Sequence, residues 1–93
     1  MGRRLLQRRL RKLGNTSRRL REELRILDEQ HRVLAEEADE SGVRALVSEN
    51  PAVAAEGRRA ARHVERLAAR REEILQALVR LEAEQDRLLD RLG

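Results

Sequence analysis

Ser41-Gly42-Val43-Arg44-Ala45-Leu46-Val47-Ser48-Glu49-Asn50 separates two long stretches that carry the same apolar spacing. Upstream, Leu6, Leu10, Leu13, Ser17, Leu20, Leu24, Leu27, His31, Leu34 and Ala38 follow one another by alternating steps of four and three. Downstream, Val53, Gly57, Ala60, Val64, Leu67, Arg71, Ile74, Leu78, Leu81, Gln85, Leu88 and Leu92 do the same. That alternation lays one stripe along an α-helix and is the a/d pattern of coiled coil. Two such stripes, joined by residues rich in Ser, Gly and Asn, read as an all-α protein: a long antiparallel two-helix coiled-coil hairpin. With the turn placed over 41–50, seam residues pair so that their numbers sum to 91, from Ala38 with Val53 down to Leu6 with Gln85. The expected segments are a basic start of helix 1 over 1–21, the rest of helix 1 over 20–40, the turn, and helix 2 over 51–92.

Two local signals refine this outline. Asn50 is a good N-cap, and Pro51 suits the first helical position, where its missing N–H costs nothing. Inside helix 1, Gly14-Asn15-Thr16-Ser17 has the composition of a loop. A break there would release Leu6, Leu10 and Leu13 from the phase of Leu20 and beyond. The preserved register therefore predicts one continuous helix, with Gly14 costing roughly 1 kcal/mol against Ala.

Composition narrows the function classes. The 93 residues include no Phe, Trp, Tyr or Cys, and 41% are charged. Without cysteine there is no disulfide framework, thiolate zinc site or cysteine nucleophile. Thr16, Ser17, Ser41 and Ser48 have no recognisable base and orienting group beside them, so nucleophilic catalysis has no support and the chain reads as a non-enzyme. His31 falls on the seam and His63 one place off it, opposite Asp28, which suits a register-setting residue and a surface pair; no metal or cofactor is expected. No apolar run approaches the ~20 residues of a membrane span, and the basic start leads into no signal-type apolar core. The expectation is a soluble, unexported chain of the cytoplasm with no small-molecule substrate.

The charges are sorted. Residues 1–21 hold nine basic side chains and no acid, residues 22–57 ten acids against three bases, and residues 58–93 nine bases against seven acids. Arg3, Arg4, Arg8, Arg9, Arg11, Lys12, Arg18 and Arg19 form a candidate site for nucleic-acid phosphates or an acidic partner. Two other fates are open to them: a face that is solvated or paired with Glu72, Glu73, Glu82, Glu84, Asp86 and Asp90 of the other arm, or an anionic membrane surface, the least favoured. Without aromatic side chains to stack on bases, any nucleic-acid contact would be to the backbone. At the other end, Glu36, Glu37, Asp39, Glu40 and Glu49 form a candidate acidic tip. If helix 1 ends near residue 40, four of these acids sit where the helix dipole prefers cations. Val43, Leu46 and Val47 either fold back over Ala38 and Val53 or stand out as an apolar fingertip for a partner.

A two-helix hairpin, a rod of about 55 Å at ~1.5 Å per residue, buries little apolar area. Helix 2 also carries a second stripe, Ala54, Ala61, Ala68, Leu75 and Leu89, wider than a two-helix contact needs. In the pairing above, Leu88, Leu89 and Leu92 have no leucines opposite them, which makes them candidates for self-association into a four-helix bundle.

Leu20-Arg21-Glu22-Glu23-Leu24 resembles the "LREEL" of the first helix in the N-terminal coiled coil of Gre-type transcript-cleavage factors, and Ser48-Glu49-Asn50 resembles that family's "SEN" at the hairpin tip. The separation of the two motifs is similar, and the resemblance covers residues 20–65. It implies a hairpin inserted into or laid against RNA polymerase, with tip acids that help hold a metal; Glu49 matches the second acid, and the first falls at Leu46. The function expected is a coiled-coil binding factor docking on a large nucleic-acid machine, polymerase or ribosome, by a basic end and an acidic tip. The alternative is a self-assembling structural coiled coil with no nucleic-acid role.

Overall fold

The structure, a computed structural model, describes residues 2–93; Met1, the first residue of the basic segment, lies outside them. It is an all-α hairpin of two helices, α1 (Arg3–Val47) and α2 (Pro51–Leu92), joined by residues 48–50. The spacing of four and three marks the buried side of both helices throughout. Each seam position from Leu6 to Ala38 and from Val53 to Leu92 is buried or half-buried.

The turn is where the structure departs from the sequence reading. Residues 41–47, expected in the loop, are helical. Ser41 and Ala45 prolong the seam by one more step of three and one of four, and both are shielded. The loop shrinks to Ser48, Glu49 and Asn50. Ser48 N–H closes the helix on the Arg44 carbonyl (3.0 Å), and Asn50 N–H donates to the Ser48 hydroxyl (3.1 Å). Asn50 then caps α2 as expected, its Oδ1 accepting from Ala52 N–H at 2.9 Å. Val47 and Pro51 bracket this loop, so level residues sum to 98 and not 91. The shift is one heptad, which exchanges every partner while leaving a and d positions facing.

The hairpin divides into two compact units. In the open-end unit, residues 2–25 with Glu73–Gly93, the new register sets Leu6 level with Leu92, Leu10 with Leu88, Leu20 with Leu78 and Leu24 with Ile74. Leu6, Ile74 and Leu88 are 5%, 1% and 4% exposed, so this seam is a packed aliphatic strip. The Gly14-Asn15-Thr16-Ser17 cluster stays helical as expected. Thr16 spends its hydroxyl on the Lys12 carbonyl (3.0 Å), Arg18 donates to Asn15 Oδ1, and Ser17 is buried in the seam.

In the tip unit, Ile26–Glu72, the seam tapers to small residues. Ser41 lies level with Gly57, Ala38 with Ala60 and Ala45 with Val53. A Cβ placed on Gly57 would stand 3.4 Å from the Ser41 carbonyl oxygen and 3.5 Å from Ala45 Cβ. A three-residue loop holds the helices close, and Ser, Ala and Gly are what that closeness admits. Further along, Arg71 lies level with Leu27 and lays its stem along the seam, its Nε donating to Asp28 Oδ1 at 2.6 Å. Asp28 therefore pairs with Arg71 and not, as the earlier register suggested, with His63, which is exposed. No buried side-chain nitrogen or oxygen among the described residues lacks a hydrogen-bond partner.

Candidate functional site

The open-end unit concentrates positive charge. Its α1 portion carries ten basic and two acidic side chains and its α2 portion three basic and five acidic, for a net +6. Arg3, Arg4, Arg8, Arg9, Arg11, Lys12, Arg18 and Arg19 are all exposed. Arg4, Arg8, Arg11 and Arg18 step by four, three and seven, which aligns them along the outward side of the helix. Among the expected pairs with α2 acids is Arg9 with Glu84, its Nη2 lying 3.3 Å from Oε1. Among the described residues no carboxylate pairs with Arg3, Arg4, Arg8, Arg11, Lys12 or Arg19. A row of unneutralised guanidinium groups attracts phosphate by charge alone.

On the Arg9 and Lys12 side of α1 lies a groove that sequence reasoning missed. Thr16 and Ala77 occupy the positions flanking the seam on the Arg9–Glu84 side, and both are too small to fill the angle between the helices. They leave an opening of about 400 Å³ floored by Leu20, Ala77 and Leu81 and edged by Arg80 and Glu84. It adjoins a second hollow of about 240 Å³ at Arg9, Lys12 and Leu13. The available signal was a small residue at the same flanking heptad position on both arms.

The tip unit has a net charge of −2, from ten acids and eight bases. Glu36, Glu37, Asp39 and Glu40 lie within α1 and not in its last turn, because the helix runs on to Val47; the last turn carries Arg44. The suspected breach of the dipole rule is thereby removed: the cation sits where the carbonyl end prefers it. Arg44 also donates to the Ser41 hydroxyl at 3.0 Å. Glu36 approaches Arg32 (3.5 Å), which pairs more closely with Glu29 (2.7 Å). These carboxylates, Glu29 first, raise the Arg32 guanidinium above its ordinary pKa. Glu37, Asp39, Glu40 and Glu49 are exposed and, among the described residues, in no ion pair. Val43, Leu46 and Val47 do not fold back over the seam. They are 62%, 86% and 81% exposed.

Other sequence-derived sites are corrected by the register. Leu88 is buried in the hairpin's own seam and Leu92 is half-buried, so of the three C-terminal leucines only Leu89, 53% exposed, faces solvent. In the second stripe of α2, Ala54 and Ala68 are half-buried while Ala61, Leu75 and Leu89 are exposed. No group of three metal-ligating side chains occurs among the described residues; His31 is half-buried on the seam and His63 edges a separate groove of about 380 Å³ with Glu29, Gln30, Val33 and Leu34. No described helix is long and apolar enough to cross a membrane. No family model, curated protein or solved structure matches the chain.

Proposed function

We propose that the chain is a non-enzymatic, cytoplasmic coiled-coil binding factor that docks on a large nucleic-acid machine, a polymerase or ribosome. The observation that carries this reading is the row of exposed basic side chains without carboxylate partners, on a unit of net +6. Its spacing follows one line on a helix, so several phosphates can be engaged together without any base being read. The tip, with Glu36, Glu37, Asp39, Glu40, Leu46, Val47 and Glu49, supplies a second contact of opposite charge. The resemblance over residues 20–65 to a family whose hairpin docks on RNA polymerase agrees with this use of the architecture.

The test is cosedimentation of the full chain with purified ribosomes and with purified RNA polymerase, together with fluorescence anisotropy on a short duplex, over a range of salt. If about four phosphates are engaged, the affinity for duplex DNA falls with a log–log slope of about −3.6 against salt. Replacing Arg4, Arg8 and Arg11 by Glu abolishes both forms of binding at low salt. Binding that ignores salt, or that survives the triple replacement, overturns the reading.

The rival reading, a structural coiled coil assembled side by side, retains Leu75, Val79 and Leu89 as its exposed aliphatics on α2. It loses Leu88 and most of Leu92 to the hairpin itself.

A further inference from the structure

The last turns of α1 are packed the wrong way round for a helix that ends in solvent. Its seam side carries the small Ser41 and Ala45, while its large aliphatics Val43, Leu46 and Val47 face outward. Leu46 and Val47 are the most exposed large aliphatic side chains described. The spacing of the three, i, i+3 and i+4, is the anchor pattern by which a helix enters an apolar groove. They stand on a firm base, because the chain around them is helical up to Val47 and the loop is closed by the Ser48 and Asn50 hydrogen bonds. The same outward face carries Glu36, Asp39 and Glu40 in the preceding turns, and Glu49 follows in the loop.

The chemistry that fits such a surface is an apolar slot with a basic rim, and the open-end unit has one. The groove at Thr16 and Ala77, about 400 Å³, has Leu20 and Leu81 in its floor and Arg80 and Glu84 at its edge; the Glu84 carboxylate is taken up by Arg9, and Lys12 borders the hollow beside it, so the rim stays basic on balance. Thr16 does not disturb the apolar floor, since its hydroxyl is engaged by the Lys12 carbonyl. Neither Lys12 nor Arg80 has a carboxylate partner among the described residues.

We infer that the tip of one copy docks in the open-end groove of a second copy. Leu46 and Val47 enter between Thr16 and Ala77 of the second copy, Val43 covers the entrance, and Asp39, Glu40 and Glu49 face Lys12 and Arg80. The two surfaces differ, so the contact is heterologous: each pair retains a free tip and a free groove and association propagates head to tail. An anionic membrane is a poorer occupant for the tip, because the acids beside the aliphatics would meet like charge. The inference goes beyond the reading of the open end as a phosphate contact and does not rest on it.

Sedimentation velocity on the full chain tests it. At low salt the wild type grows in mass with concentration beyond two copies; at ~0.5 M salt, where exposed charges are screened, the growth recedes. A tip variant, Leu46→Glu with Val47→Glu, and a groove variant, Lys12→Glu with Arg80→Glu, alter exposed side chains, and unchanged circular dichroism verifies their fold. Each alone sediments as a single copy. Mixed in equal amounts they form a complex of two copies and no larger, because the groove of the tip variant and the tip of the groove variant are intact. A wild type that stays single at every concentration, variants that associate like the wild type, or a mixture that stays single would each overturn the inference.

Discussion

The two ends of this hairpin share one heptad pattern and use it differently. The open-end unit fills its seam mostly with leucine and isoleucine, exposes a row of arginines and carries +6; the tip unit's seam tapers from Leu27, Leu34 and Leu67 to Ser, Ala, Gly and Val, its last turns expose Val43, Leu46 and Val47, and it carries −2. The contrast follows from the loop. Where three residues must reverse the chain, the helices approach too closely for large seam residues. The aliphatic side chains of those turns, Val43, Leu46 and Val47, consequently lie on the outside. The a/d stripe thus specifies which side faces the partner helix, and residue size along it specifies how near the partner stands.

The contrast is broken most severely by truncating one large aliphatic at each end. Ile74→Ala removes the most buried side chain of the open-end unit, 1% exposed, and is expected to cost about 2–5 kcal/mol, transfer and cavity terms together. Leu46→Ala removes a side chain that is 86% exposed and should leave urea stability within about 0.5 kcal/mol of wild type at high salt. Comparable losses at the two positions would mean that the tip aliphatics are packed within the hairpin after all.

The three helical glycines within the hairpin sharpen the comparison at a smaller scale. A Cβ on Gly42 meets nothing within 4 Å and one on Gly14 meets only Arg18 Nη1 at 3.7 Å. Gly42→Ala and Gly14→Ala should therefore each stabilise by roughly 0.5–1 kcal/mol, the usual helix-interior difference. At Gly57 a Cβ would just touch the facing helix, and anything larger has no room. Gly57→Leu must push Ser41 and Ala45 away and should destabilise by about 1–3 kcal/mol. Thermal melts of the three variants, compared in sign as well as size, check the one-heptad shift directly: in the pairing that sums to 91, Gly57 would face Leu34 and a larger residue there would be better tolerated.

The seam was legible because a spacing of four and three has one meaning on a helix, and it held even through Gly14-Asn15-Thr16-Ser17. Register was not, because a slip of one heptad keeps every a and d position facing and alters only the turn. Ser41, Gly42 and Ser48 have the composition of a loop, and that signal outweighed Ser41 and Ala45, which continue the stripe in small residues. From that one displacement came the misplaced acids, the unpaired Leu88 and Leu92, and the pairing of Asp28 with His63. The basic row at the open end needed no register to be found. The groove at Thr16 and Ala77 needed the partner helix, since the two residues say nothing until they are opposite one another.

The smallest effect expected concerns charge outside both docking surfaces. Glu22 accepts hydrogen bonds from Arg25 one turn later, Nη2 at 2.7 Å and Nε at 3.1 Å, in the exposed part of α1. That hydrogen bond, with the attraction of the same guanidinium, lowers the Glu22 pKa below its ordinary 4.5. A carboxylate whose pKa is depressed by folding stabilises the folded state above the ordinary value, and the contribution is lost as pH falls through the lowered one. Full exposure leaves the pair screened by solvent, so the contribution to stability is slight and salt-dependent. An NMR titration of the Glu22 side chain reads it directly: Arg25→Gln should move its midpoint upward toward the ordinary value. An unmoved midpoint would show that the pair does not persist in solution.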